Sequence, residues 1–233
     1  MRKITKPHLP DERHYIFTEG INYFKTGKES IFGAGDKFTL DFLEKAKIQG
    51  KWLNLAAGDG RYNSQLLQKA DAVVAADIDK SALSKLWHAT PPECREKLEN
   101  AVFDITKRFP FANNSFDGVF CTAALYVVPK KILTKIVKEI NRVLKPNGRV
   151  IFDFATDIKR VRLDGLPYPR IPGEPQYNSK SAKETINSLF KNYKFSILES
   201  KVPEEVYLDA NPPYIFSSNV ILFVGEKIAS KDF

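Results

Sequence analysis

Cysteine is scarce in this chain of 233 residues, with Cys94 and Cys121 the whole supply. Two thiols outside any CxxC spacing build neither a disulfide framework nor a cysteine metal site. They are expected to be small apolar filler in a reduced, cytoplasmic protein. Histidine is rarer than its catalytic reputation requires. His8, His14 and His88 are the full set. No apolar run reaches the length of a membrane-spanning helix, and the first residues, MRKITKPHLPDERHY, lack the apolar segment of a secretory signal. Repeats and low-complexity tracts are absent too, which excludes solenoids and arrays.

What is present suits one α/β unit of ordinary size. The hydrophobic share is 43%, enough for a sizeable core. The net charge is +8 and unevenly spread. Residues 101–150 hold nine Lys/Arg against three Asp/Glu, whereas the last 33 residues hold three against five. Such asymmetry fits an anionic partner or a solvated face.

From Lys51 onward, short apolar runs alternate with helical patterns. Strands are expected at 52–55, 72–76, 101–103, 116–122 and 149–154, and helices at 63–70, 81–88 and 130–144. This beat implies a mostly parallel sheet covered on both faces. In the helix at 130–144, Ile132, Leu133, Ile136, Val137, Ile140, Val143 and Leu144 share one side, and Lys131, Lys135, Lys138 and Arg142 the other. Pro146-Asn147-Gly148 stops it. The tail reads as a helix at 181–192 and then strands at 194–201 and 219–226. Joined without a helix, these should pair antiparallel. Residues 1–50 read as mainly helical, with 37–46 the best candidate. Residues 156–178, rich in glycine and proline, read as a long structured loop.

The candidate site lies where strands end. Asn54-Leu55-Ala56-Ala57-Gly58-Asp59-Gly60 follows the first strand and opens a helix, and its small residues let a ligand approach the backbone. Asp77 ends the second strand, placed to accept bonds from a ribose diol. Asp104-Ile105 ends the third, and Cys121-Thr122-Ala123 the fourth. All are carboxyl ends of parallel strands, where open α/β sheets bind ligands.

With Ala75-Ala76-Asp77-Ile78-Asp79, Phe103-Asp104-Ile105, the stretch Phe109 through Asp117, and Leu144-Lys145-Pro146-Asn147-Gly148, this order resembles the class I S-adenosylmethionine-dependent methyltransferases, type 11/25-like. The likeness is best over residues 50–155. It implies a Rossmann-like fold: a seven-stranded, mostly parallel sheet with a C-terminal antiparallel hairpin and helices on both faces. It also implies one domain, made of an N-terminal cap (1–50), a cofactor core (51–155), a substrate-side loop (156–178) and a C-terminal helix with antiparallel strands (179–233). The cofactor implied is S-adenosylmethionine, held by Asn54, Ala56, Ala57, Gly58, Gly60, Asp77, Ile78, Asp104, Ile105 and Thr122. Asp77 would take the ribose and Asp104 the exocyclic amine of adenine. Two positions depart from the family pattern: Asn54 replaces its leading acid and Ala56 its first glycine.

Two other spellings are weighed against this frame. Tyr126-Val127-Val128-Pro129-Lys130 matches the YxxxK of short-chain dehydrogenases, but Pro129 opposes one helix through it. Asn211-Pro212-Pro213-Tyr214 matches the substrate loop of amino-methyltransferases, which there follows strand four. Here it comes much later and reads as a turn, with Tyr214 still able to fold over the substrate mouth.

Tyr126 is the best-placed polar side chain at the strand-four exit, expected to position the acceptor. That acceptor is expected to be a small molecule enclosed by residues 1–35 and by the loop with Tyr168, Arg170 and Tyr177. RNA bound on the basic helix face is the second reading, and a non-catalytic nucleotide-binding module the third. No membrane partner is expected.

Overall fold

The computed structural model describes residues 22–168, 174–208 and 212–229. In chain order the elements are α1 (Lys37–Lys45), β1 (Lys51–Leu55), α2 (Asn63–Leu67), β2 (Ala72–Asp77), α3 (Lys80–Ala89), β3 (Leu98–Val102), β4 (Phe116–Cys121), α4 (Lys130–Val143), β5 (Leu144–Arg162), α5 (Ser179–Leu189), β6 (Tyr193–Lys201), β7 (Glu205–Tyr207) and β8 (Tyr214–Lys227). The sheet order is β3-β2-β1-β4-β5-β8-β6, with β7 added on β8. The first five strands of that path pair in parallel, and β8 is antiparallel to β5, β6 and β7.

Alternation along the central strands sorts side chains into two cores. Leu53, Leu55, Val74, Ala76, Val119, Val150 and Phe152 face α4 and α5. Trp52, Val73, Ala75, Phe120 and Ile151 face the opposite layer with Leu43, Leu66 and Leu86. The apolar stripe of α4 is buried at Ile132, Leu133, Ile136, Val137, Ile140 and Val143. Local chemistry sets the helix starts: Asp36 accepts the Thr39 N–H, Asp79 the N–H groups of Ser81 and Ala82, and Asn178 forms a capping box with Ser181.

The C-terminal antiparallel pair is present, but longer than the sequence suggests. β8 starts at Tyr214 instead of residue 219, and β7 is an additional strand. The reading of 156–178 as loop is corrected as well. β5 continues through Arg162, after a register shift between Thr156 and Lys159 where Asp157 takes a φ of +53°. Val161 then bridges to Pro167. The mainly helical reading of residues 1–50 also fails among the described residues, where 22–50 hold one 3₁₀ turn, Tyr23–Lys25, and α1. His8, His14, Arg170 and Asn211 lie outside the described residues. Among those residues, no helix is long and apolar enough to cross a membrane.

Candidate active site

The five parallel strands end on one edge, and the expected site residues gather there. After β1 the chain turns sharply: Ala56 has φ +53°, Gly58 +53° and Gly60 +97°. At Gly60 a Cβ would meet Leu86 Cγ at 2.9 Å, so only glycine lets the turn seat on α3. Among the described residues, a Cβ at Gly58 would meet only the Phe32 ring, at 3.8 Å. That side of the turn is open to a ligand. The Ala57 N–H donates to Ala76 O at 2.9 Å and fastens the turn to β2.

Asp77, at the end of β2, holds the turn from the other side. Its Oδ2 accepts the Gly58 N–H at 2.8 Å and its Oδ1 the Asp79 N–H at 2.9 Å. Burial pushes its carboxyl up from the ordinary range, opposed by the N–H donors of Asp79, Gly58 and Ile78. Each carboxylate oxygen has two acceptor positions, so capacity for a ligand diol remains. The Phe103 N–H donates to Asp77 O at 3.1 Å, which sets Asp104 beside it. Asp104 Oδ1 caps its own loop, accepting from Thr106 N at 2.8 Å and Thr106 Oγ1 at 2.7 Å. Ile78 is 36% exposed, a large apolar side chain left uncovered at this edge. Ile105 is half-buried against the α4-side core, and Thr122 is half-buried at the end of β4.

The two departures in the glycine-rich turn have physical outcomes. Asn54 is buried, and its Nδ2 donates to Asn63 Oδ1 at 3.3 Å, away from the open side of the turn. Ala56 takes the left-handed conformation that glycine usually supplies and carries its strain.

Several site-forming residues gave no local signal in the sequence. Asp59 lies inside the glycine-rich turn, its side chain fully buried. It accepts from Ser30 Oγ at 2.6 Å, from the Ile31 N–H at 2.8 Å and from Lys85 Nζ at 2.8 Å. It therefore ties the segment before α1 to the turn and to α3. Asp36 accepts the Tyr62 hydroxyl at 2.5 Å. Arg61 pairs with Glu205 of β7 at 2.7 Å, and Glu205 also accepts the Tyr207 hydroxyl. Asp153 is the remaining one. It interrupts the apolar run of β5, and the only hint was one acid among Val150, Ile151, Phe152, Phe154 and Ala155. Its Oδ1 accepts the Ala123 N–H at 2.7 Å, and burial pushes its carboxyl up to about 7.

Tyr126 is buried at the strand-four exit, edge-on to Phe154 at 6.2 Å between ring centroids. Burial, then the nearby Asp153 carboxylate, push its phenol well above the ordinary value, so it stays protonated at neutral pH. The same causes act on Cys121, which is inert as a thiolate. Beyond Tyr126 stands an aromatic wall. Tyr214 stacks on Tyr207 at 5.1 Å and meets Tyr168 at 4.6 Å, and Arg160 lies over Phe216 while paired with the buried Glu174. Tyr214 is thus part of a strand in this wall and not of a loop. Tyr177 packs edge-on against Phe154 at 4.7 Å.

Residues 53–152 match the family model described as a methyltransferase domain. Over that stretch, from β1 into β5, the chain carries a methyltransferase domain. Solved structures share the fold. One is the YcgJ protein of Bacillus subtilis, at 13% identity and TM-score 0.60, covering 81% of this chain and 97% of that one. Another is a structure reported for the conversion of a disulfide bond into a thioacetal group during echinomycin biosynthesis. It has 16% identity and TM-score 0.65, and covers 86% and 85%. A third is DhpI in complex with S-adenosylhomocysteine, at 21% identity and TM-score 0.54, covering 77% and 80%. No protein of curated function matches the chain by sequence. The methyltransferase core is therefore the part from β1 into β5. The cofactor of this family is S-adenosylmethionine, and the open turn at Gly58 beside Asp77 fits a nucleoside.

Proposed function

We propose that the protein transfers the methyl group of S-adenosylmethionine to a small-molecule acceptor. Bound S-adenosylmethionine supplies a strongly electrophilic methyl group, so the protein mainly has to align a nucleophile and exclude water. Gly58 and Gly60 give the backbone approach, Asp77 holds the ribose diol, and Asp104 accepts from the adenine amine while Ile78 and Ile105 cover the ring. Ala56, Ala57 and Thr122 complete the lining, and Asn54 supports the turn from beneath through Asn63. Tyr126 positions the acceptor as a hydrogen-bond donor.

The observation that carries the small-molecule reading is the wall made by β7 and the extended β5 and β8. Tyr207, Tyr214 and Tyr168, with the Arg160–Glu174 pair, stand beside the strand-four exit. The RNA reading finds less support. Arg142, one of its four phosphate contacts, already binds Glu139, Phe111 O and Phe109 O. It sits in the last turn of α4, at the amino-end side of the sheet, roughly 20 Å along the helix from the strand-four exit.

The test is S-adenosylhomocysteine release on a panel of small nucleophiles and on tRNA and rRNA, with wild type and Lys131→Glu/Lys138→Glu. Turnover of a small molecule, equal in both proteins, is the expected outcome. RNA turnover lost in the double variant, with binding whose log–log salt slope is about −0.7 per phosphate, would replace this reading with RNA methylation.

A further inference from the structure

The charges at the strand-four exit pair off unevenly. Arg61 is taken by Glu205, Arg160 by Glu174, and Asp36 by the Tyr62 hydroxyl. Asp153 is left. Its side chain projects from β5 on the face opposite Phe152 and Phe154, toward the layer that contributes Asp36 and Arg61. One oxygen is fixed by Ala123, whose left-handed backbone (φ +56°) turns its N–H onto the carboxylate at the exposed mouth. Among the described residues the other oxygen meets no donor. The groups facing Asp153 are Asp36, Arg61, Glu205, Cys121 and Tyr126. Cys121 and Tyr126 are neutral at physiological pH. Among the described residues, Arg61 is the one cation facing it, and its charge is already matched by Glu205.

We propose that the free oxygen of Asp153 binds the acceptor's nucleophile and takes its proton, and that this nucleophile is an amine nitrogen. The inference rests on the methyl-transfer reading above and names the acceptor chemistry of the same site. Among the described residues, the charges around Asp153 and Tyr126 are four carboxylates, Asp36, Asp153, Glu174 and Glu205, and two guanidiniums, Arg61 and Arg160, beside the rings of Tyr126 and Tyr207. That balance attracts a nitrogen base and its cation, and repels carboxylate or phosphate nucleophiles. In the step, the nitrogen forms a bond to the methyl carbon and gives up one N–H proton to Asp153. The electron pair of the broken S–C bond stays on sulfur, and Asp153 later returns the proton to water. A carboxyl poised near neutral pH suits this exchange. Tyr126, locked as a phenol, orients the acceptor without taking the proton.

The test needs no known acceptor. Sinefungin carries an amine on carbon in place of the methylsulfonium, so its ammonium probes the acceptor side, whereas S-adenosylhomocysteine has no such group. Calorimetry with both ligands is done on wild type and Asp153→Asn. The amide still accepts from the Ala123 N–H. Sinefungin is expected to weaken by about tenfold or more in the variant, the value of a lost charge-assisted bond, with S-adenosylhomocysteine changed less than about twofold. In wild type alone, the sinefungin advantage is expected to fade between about pH 8 and pH 6 as Asp153 is protonated. Equal loss of both ligands, or no selective loss, overturns the assignment, as does a wild-type advantage indifferent to pH. Failure of wild type to bind S-adenosylhomocysteine sinks the methyl-transfer reading itself.

Discussion

The carboxylate of Asp77 and the backbone N–H of Gly58 meet at 2.8 Å across the glycine-rich turn. The bond joins the end of β2 to the turn after β1, so the two parts of the proposed nucleoside site are set relative to each other before any ligand arrives. Such preorganisation reduces the ordering cost of binding.

Asp104 extends the same arrangement to the base. Its Oδ1 is used by Thr106, and Oδ2 is the oxygen proposed to accept from the adenine amine. Asp104→Ala is expected to weaken S-adenosylhomocysteine by about tenfold. It is also expected to remove the preference for that ligand over its inosine analogue, which lacks the exocyclic amine. Calorimetry with both ligands reads the effect, and an undiminished preference for adenine would place the base elsewhere.

Ala56 offers a test of backbone strain. Left-handed conformation costs an alanine roughly 1–2 kcal/mol, and glycine gives back part of that through its freer unfolded chain. Ala56→Gly is expected to stabilise by about 0.5–1 kcal/mol and to raise Tm by roughly 1–3 °C. Cofactor affinity should hold, because the turn keeps its shape. A lower Tm would mean that Ala56 is not strained.

The Asp59–Lys85 pair is buried on both sides, with side-chain exposures of 0% and 7%. Lys85→Ala leaves the carboxylate without its cation, supported by Ser30 and Ile31 alone. Losing one partner of a buried pair costs about 3–5 kcal/mol, so thermal unfolding should begin about 10 °C lower. The segment that Asp59 anchors should loosen with it, read as faster amide exchange at Ile31. A variant as stable as wild type would show that the pair contributes nothing.

The strand-and-helix beat from Lys51 to Val143 was legible because local signals and tertiary demands coincide there. The α4 stripe is buried residue for residue. The antiparallel pairing of β6 with β8 followed from the absence of a helix between them. The end of β5 was hidden for a different reason. Ile158, Arg160 and Arg162 alternate with Lys159 and Val161 on a strand half in solvent, and the glycines and prolines that follow suggest a loop. Asp77 and Asp104 were visible because they end apolar runs. Asp59, Asp36 and Arg61 were not, since their partners lie 26 to 144 residues away and nothing local records such pairing. Asp153 was within reach: a lone acid in a buried strand has to be satisfied or used.

The most direct measurement is titration calorimetry of S-adenosylhomocysteine into wild type and Asp77→Ala, repeated on lowering the pH. Wild type should bind, and the variant should fold but bind about ten- to a hundredfold more weakly, having lost charge-assisted bonds to the ribose. Because burial holds the Asp77 carboxyl above its ordinary range, wild-type affinity should begin to fall at a higher pH than an exposed carboxylate would dictate, and the variant should lack that dependence. Equal affinity in the two proteins, or no binding by wild type, would contradict the account.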